Sequence, residues 1–262
     1  MMRYLRLLLV QLRISAAAGM AYRADFLLEG VMSFASIGLT LLPLIVLYNG
    51  RETVAGWDAP SALIVMSYFM AVRAVLEGVV SPSFVDLVER IRSGAFDYVL
   101  LKPVDAQAMV SASRFEPWQV FHFLGAIAVA IYAFHQRGSA PELAHLALGL
   151  VLFVAGVLAM YSLWILCAAA SFWVVRLDNL TYLLGSIFDT ARWPVQVFPH
   201  VWRLVFTFVI PIAVMTTYPA MALLGRLEAQ TALATIGGAI ALLVISRLIW
   251  RAAIRSYTSA SS

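Results

Sequence analysis

Residues 143–175 read LAHLALGLVLFVAGVLAMYSLWILCAAASFWVV, an apolar run in which His145 is the only side chain that can carry a charge near neutral pH. An α-helix rises about 1.5 Å per residue, so about 20 apolar residues cross the hydrocarbon core of a bilayer. The 33 residues of this run therefore predict one long, tilted transmembrane helix, which ends near Arg176 and Asp178.

The rest of the chain shares this apolar character. Of its 262 residues, 63% are apolar and only 12% are charged, and the mean hydropathy is +0.89. A soluble domain carries about 25% charged residues, so this composition excludes a soluble fold. With about 20 residues per span and short connections, the length leaves room for about six or seven crossings. We predict an all-α integral membrane protein in which residues 1–262 form a single transmembrane domain.

Apolar runs separated by turn residues place the other spans. The predicted spans are residues 26–48, 61–80, 115–134, 143–175, one span after Asn179, and residues 231–250. Prolines and charges interrupt residues 179–226 too often for two clean spans, so we predict one span followed by a re-entrant hairpin at residues 199–226. Residues 1–23 carry several arginines among their leucines and predict a helix that lies in the membrane interface.

Arginine positions predict the orientation of these spans. Residues 1–23, the segment 81–103, Arg176 and the tail from Arg247 onward would lie on one side of the membrane. Cytoplasmic segments are enriched in Lys and Arg, so this side is predicted to be cytoplasmic. Both termini then lie in the cytoplasm, which requires an even number of spans and favours six over seven. We expect a multi-pass protein of the bacterial cytoplasmic (inner) membrane.

Residues 82–93 give the sharpest local signal, an amphipathic helix of about 12 residues in the cytoplasmic segment 81–103. Pro82 suits the first helical position, and Gly94 can end the helix. The apolar face carries Phe84, Leu87, Val88 and Ile91, and the charged residues are Asp86, Glu89, Arg90 and Arg92. The apolar face could rest on the headgroups, pack under its own helix bundle, or dock on a cytoplasmic partner. Periodicity alone does not separate these alternatives.

Three further stretches complete a pattern that covers nearly the whole chain. They are RSGAFDYVLLKPVDAQ at residues 92–107, FWVVRLDN at 172–179, and WPVQVFPHVWRLVFTFVIPIAVMTTYPAMALLG at 193–225. Together with the order of interfacial helix, spans and amphipathic helix, they resemble the permease subunits of ABC exporters of the ABC-two type. The similarity is greatest to the branch that carries a Gly-x-Phe-Asp-x-x-Leu-x-x-Pro signature, which here begins at Gly94 and ends at Pro103.

This resemblance implies that transport requires further chains, an ATPase and a second permease subunit. Residues 82–93 would be the coupling helix that seats in a cleft of a separate cytoplasmic ABC ATPase, and a second permease subunit, identical or a sibling, would face this one across the substrate path. The residues implied in ATPase coupling are Phe84, Asp86, Leu87, Glu89, Arg90, Ile91, Gly94, Asp97 and Pro103. ATP and Mg would bind to the partner ATPase, and this chain would hold no cofactor.

The residues themselves also argue against chemistry on this chain. A P-loop requires Gly-Lys-Ser/Thr, whereas the only lysine, Lys102, precedes Pro103. The four histidines show no metal-binding spacing, and the one cysteine, Cys167, lies inside an apolar run. No motif of an intramembrane hydrolase or of nucleic-acid binding is evident. We therefore expect neither an enzyme nor a metalloprotein, and energy for transport would come from elsewhere.

Charged residues inside predicted spans are the other candidates for function. Arg73 and Glu77 are four residues apart, and Asp189 and Arg192 are three apart, so each pair could be an internal ion pair on one helical face. Such pairs could be structural staples or part of an ion relay. The relay reading keeps open a self-sufficient secondary transporter or channel, and a non-transporting membrane scaffold is a further alternative.

Overall fold

The computed structural model describes residues 10–11, 13–14, 17, 23–111, 113–173 and 184–257. Most of the predicted interfacial helix at residues 1–23 therefore lies outside the described residues, although those of its residues that are described are helical. Gln11 donates from Nε2 to the carbonyl of Ser113 at 3.0 Å, which places this segment beside the start of the third predicted span.

Helices account for nearly all the regular structure. In chain order the labelled helices are α1 (Arg23–Tyr48), α2 (Ala59–Val75), α3 (Ser81–Arg92), α4 (Asp97–Leu100), α5 (Ala106–Val110), α6 (Gln119–Arg137), α7 (Leu143–Ala170), α8 (His200–Leu204), α9 (Tyr218–Leu223) and α10 (Ala229–Arg255). Residues 184–188 are also helical. Wide π-type turns occupy Leu76–Val80, Val205–Val209 and Ala213–Thr217, and 3₁₀ turns occupy Asp189–Arg192 and Val195–Val197. A two-residue hairpin, β1 (Thr53–Val54) and β2 (Trp57–Asp58), lies in the predicted turn between the first two spans.

Five helical segments of the described chain are long and apolar enough to cross a membrane, and they coincide with the predicted spans at 26–48, 61–80, 115–134, 143–175 and 231–250. The pair His200–Val209 and Ala213–Leu223 brings the number to six if it is counted as one bent span. The two limbs of this pair meet at 78°, at Ile210 and Pro211. The predicted span after Asn179 falls partly on residues 179–183, outside the described residues, so the count of six stays a prediction.

The sequence predicted a separate amphipathic helix at residues 82–93, but the structure joins it to the helix before it. α2 runs through the π-turn into α3 without a break, and Ala59–Arg92 form one helix of 34 residues. Pro82 therefore does not begin a helix. A proline has no N–H to donate to the carbonyl four residues earlier, which here belongs to Gly78. Glu116 donates its backbone N–H to that carbonyl at 2.8 Å instead. The carbonyl that Pro82 leaves free therefore binds the start of the third span.

The helix α2 lies at the centre of the bundle. It packs against α6, α7, α9 and the π-turn Ala213–Thr217, while α10 packs along α7. Most of α2 is buried, whereas few of the described side chains of α1, α6 and α10 are buried. The peripheral helices thus leave wide apolar faces for lipid or for another protein chain.

Candidate functional site

The apolar face of α3 packs against its own bundle. Leu87 is 2% exposed and Phe84 is 7% exposed, and both belong to the main hydrophobic core. Val88 and Ile91 are half-buried against the same core. Of the readings that periodicity left open, the structure therefore shows packing under the bundle. The apolar face is not free to dock on a partner.

Another part of the same segment is exposed. Val85, Glu89 and Arg92 lie at helical spacing on the outer face of α3, and all three are exposed. Tyr98 in α4 is 71% exposed, and Leu101 just after α4 is 79% exposed. We call these five residues the α3–α4 rim. It combines three large apolar side chains with one charge of each sign.

An aromatic cluster explains the Gly-x-Phe-Asp signature. Gly94 adopts a φ of +74°, a left-handed conformation that favours glycine, and reverses the chain after α3. Phe96 is thereby turned into the core and is fully buried. Its ring meets the rings of three residues, with centroid distances of 5.4 Å to Phe172, 6.3 Å to Trp250 and 5.4 Å to Tyr257. The cluster joins the segment after α3 to the ends of α7 and α10.

A polar clamp makes a second connection between this segment and the same two helices. Arg247 of α10 donates to both carboxylate oxygens of Asp105, and its Nη1 also donates to Oε1 of Gln107 at 2.6 Å. The buried Gln107 in turn donates to the hydroxyl of Tyr161 in α7 at 3.0 Å. Asp105 also caps α5 by accepting from the N–H of Ala108 at 3.0 Å. We call Asp105, Gln107, Tyr161 and Arg247 the Arg247 clamp.

The clamp has an electrostatic signature. The hydrogen bond from Arg247 holds the pKa of Asp105 below the ordinary value of 3.8, although partial burial of the carboxylate opposes this shift. Asp105 is therefore ionised at neutral pH and pairs with the arginine. The clamp is a charged pair that fixes α10 to the start of α5.

The four charged residues predicted to lie inside the membrane form one network. Arg73 donates from Nε to Oε1 of Glu77 at 2.7 Å, and Asp189 lies 3.4 Å from Nη2 of Arg192, so both predicted pairs are present. Arg73 also donates from Nη1 to Oδ1 of Asp189 at 2.9 Å, which joins the two pairs. Gln119 of α6 donates to the remaining oxygen of Glu77 at 3.2 Å.

The network has one open side. The side chains of Arg73, Glu77 and Asp189 are between 36% and 42% exposed. Each charge that faced lipid would cost about 2.5–3.5 kcal/mol, so the open side must face water or another protein chain. Phe69 forms the closed side, because both guanidinium groups lie within 6 Å of its ring centroid.

A comparison with protein families identifies the family of the chain. A family model described as an ABC-2 family transporter protein matches residues 34–261, which is most of the chain. The chain belongs to the ABC-2 transporter family. No curated protein and no solved structure matches it. The aromatic cluster, the Arg247 clamp and the ion-pair network all fall inside the matched residues.

The structure of this ABC-2 permease divides the residues implied in ATPase coupling into groups. Phe84 and Leu87 are buried, and Ile91 is half-buried. Asp86 accepts from Nε of Arg90 at 2.7 Å on α3 itself. The remaining residues shape or border the exposed surface: Gly94 makes the turn, Asp97 begins α4, and Glu89 and Pro103 are exposed. Their part in ATPase coupling stays a prediction.

Sequence reasoning missed the Arg247 clamp and the role of Phe96 in this permease. A signal existed for the clamp, because residues 229–246 of α10 carry no charge and Arg247 is the first charged side chain after them, so it needs a partner. For the aromatic cluster the sequence offered only a partial signal, because two of the quoted motifs contain Phe96 and Phe172 but do not indicate that the two rings meet. Within the described residues no group of three or more His, Cys, Asp or Glu side chains could hold a metal ion.

Proposed function

We propose that this permease is the membrane subunit of an ABC exporter, which a separate cytoplasmic ATPase drives by binding the α3–α4 rim. The observation that carries the proposal is the unbroken helix Ala59–Arg92. One end of this helix bears the rim, and its middle bears Arg73 and Glu77 of the ion-pair network. A displacement of the rim would therefore move the network directly.

The rim replaces the apolar helix face as the docking surface. Val85, Tyr98 and Leu101 are exposed on the side that the arginine distribution predicts to be cytoplasmic, where apolar side chains in water favour burial by a partner. The aromatic cluster and the Arg247 clamp hold the segment behind the rim against α7 and α10. The ATPase would thus push on a rigid unit and not on a loose loop.

The contacts around the bent pair support a re-entrant hairpin, and the sixth span of the proposal is then the one predicted after Asn179. Met215 lies against Gly156 near the middle of α7, and Leu223 lies against Gly149, closer to the start of α7. The limb Ala213–Leu223 therefore runs back toward the end at which α7 begins. Gln196, which precedes the other limb, accepts from Nε1 of Trp57 at 3.3 Å, close to the start of α2. The hairpin would then begin and end on the outer side.

A second permease subunit is part of the proposal. The open side of the ion-pair network needs water or protein beside it, and α1 and α8 present many exposed apolar side chains, among them Phe34, Leu39 and Val201. A facing subunit, whether a copy or a sibling, would cover apolar surface and enclose an aqueous path beside the network. ATP and Mg would bind only to the ATPase.

The test is to charge the rim. We expect the double variant Tyr98→Asp and Leu101→Asp to remain in the membrane but to lose the ATPase activity that copurifies with the tagged wild-type chain. The matched control is Ser139→Asp with Ala140→Asp, which adds the same two charges to exposed positions in the loop between α6 and α7. ATPase activity that copurifies equally with both double variants would show that the rim is not the docking surface.

The network also supports a second candidate, a secondary transporter that needs no ATPase. Glu77 and Asp189 would then carry an ion along the open side of the network. This candidate requires ion-driven uptake into vesicles without nucleotide, and loss of that uptake in Glu77→Gln. The pairing of both carboxylates with arginine weighs against it, because a relay group must release its ion easily.

A further inference from the structure

A groove of about 510 Å³ separates α10 from the bent pair and is distinct from the rim, the clamp and the network. One wall is the first half of α10, from Gln230 to Ile245. The other wall is formed by residues 207–218 around the bend, and Ala159 of α7 contributes to the floor. The described side chains that line the groove carry no charge.

The groove is polar at one end and apolar at the other along α10. Gln230, Thr231 and Thr235 lie near the start of the helix, and Leu242 and Ile245 lie at the far end. Thr235 donates its hydroxyl proton to the carbonyl of Thr231 at 2.7 Å, which leaves its oxygen as an acceptor. Among the described residues, the hydroxyl groups of Thr231 and Tyr218 have no protein partner.

The length of the groove matches one leaflet of a bilayer. From Gln230 to Ile245 a helix rises about 22 Å. A leaflet with its headgroup region measures about half of 40–45 Å. With the start of α10 at the membrane surface, as its length and apolar composition predict, the polar end of the groove would lie at the depth of the glycerol esters and the apolar end near the midplane.

The groove opens into the surface that lipid surrounds. Phe208, Val209 and Leu233 at its border are all more than 65% exposed. A side chain at Gly238, on the wall, would meet nothing within 4 Å, so the groove beside it is open to an occupant. Small residues at positions 234, 238 and 241 keep this wall smooth.

We propose that the groove binds one phospholipid of the leaflet around the first half of α10, with an acyl chain along α10 and the ester groups at Thr231. The polarity gradient supports this occupant, since a lipid is polar at one end and apolar along the rest. Small residues on this wall would also admit a helix of a second subunit, and the test below distinguishes that occupant from a lipid. The absence of charged lining side chains favours recognition of the neutral ester region over any particular headgroup. This inference is independent of the ATPase.

Two neighbouring glycines give a matched test. Gly238 lines the groove and Gly237 does not, while a side chain at either position meets open space. The full chain would be placed in nanodiscs that contain a phosphatidylcholine with a photoreactive diazirine at the end of one acyl chain. We expect wild type and Gly237→Phe to be labelled on peptides that contain residues 242–245, and Gly238→Phe to lose this labelling because phenylalanine fills the groove.

A second pair guards against misfolding of one variant. Ala241→Phe fills the groove, and Ile240→Phe changes an exposed neighbour outside it. Equal labelling of the filled and control variants would overturn the proposal. Loss of the oligomer in the filled variants alone, measured by the mass of the purified assembly, would also overturn it and would assign the groove to a second subunit.

Discussion

The ring of Phe96 packs edge-on against the ring of Phe172, with 5.4 Å between the centroids. Phe96 belongs to the turn that follows α3, and Phe172 follows the end of α7. Trp250 and Tyr257 of the C-terminal region close the cluster around them. Aromatic packing therefore holds the segment behind the proposed docking surface to the ends of α7 and α10.

We expect Phe96→Ala to lower the free energy of unfolding by about 3–5 kcal/mol, the usual cost of removing a buried phenylalanine side chain. Leu101→Ala is the control, because Leu101 is 79% exposed and its truncation should change stability by less than about 0.5 kcal/mol. Equilibrium unfolding in mixed micelles measures both. A Phe96→Ala variant as stable as Leu101→Ala would show that the cluster does not hold this segment.

Some of the fold follows directly from the sequence. Apolar length is sufficient to locate α1, α2, α6, α7 and α10, since only a helix satisfies its backbone in lipid over such lengths. Gly94 ends α3 as its position suggested, because a glycine can adopt the positive φ of the turn. These features depend on residues that are close together in the chain.

Features that depend on distant residues were not predictable in the same way. Pro82 suggested a helix start because the first helical residue has no acceptor for a backbone N–H, so a proline loses no hydrogen bond there. In the structure Pro82 lies inside a helix, and the N–H of Glu116 replaces the missing donor to the carbonyl of Gly78. The helix spacing of Arg73 and Glu77 predicted their pairing, but not the link to Asp189, which requires the tertiary fold. The apolar face of α3 indicated burial without indicating what buries it.

The Arg247 clamp predicts a pH dependence. Asp105→Asn should keep the cap on α5, since asparagine also accepts at a helix start, but should weaken the pairing with Arg247. We expect a loss of about 1 kcal/mol at neutral pH, because the pair is about one-third exposed and solvent screens it.

The sign follows from the lowered pKa of Asp105. The contribution of the ionised carboxylate is complete above the ordinary pKa of 3.8 and is lost as the pH falls through the lowered value. Wild type and Asp105→Asn should therefore converge in stability below about pH 3.8 and differ above it. Unfolding measured from neutral to acidic pH tests this, and a difference that stays constant with pH would contradict it.

The link between Arg73 and Asp189 predicts non-additive effects of substitution. In a double-mutant cycle with Arg73→Gln and Asp189→Asn, we expect a coupling energy of about 0.5–3 kcal/mol, because the two side chains share a hydrogen bond. Asp58→Asn serves as the control partner for Arg73→Gln. It lies about 22 Å along the helix from Arg73, so its effect should add. Additivity in both cycles would mean that the two predicted pairs act separately.

The contact between α7 and the bent pair predicts the response of Gly156 to substitution. A Cβ at this position would lie 2.9 Å from the Cα of Met215 and 3.0 Å from the carbonyl oxygen of Val214, both of them backbone atoms that cannot rotate away. Gly156→Ala must therefore push the π-turn Ala213–Thr217 off α7, at a cost of about 1–3 kcal/mol. Gly38→Ala in α1 is the control, because its Cβ meets nothing within 4 Å and alanine favours the helix. Unfolding in mixed micelles should show a marked loss of stability for Gly156→Ala and none for Gly38→Ala. If the two variants were equally stable, the limb Ala213–Leu223 would not be seated on α7, and the argument for a re-entrant hairpin would lose its main contact.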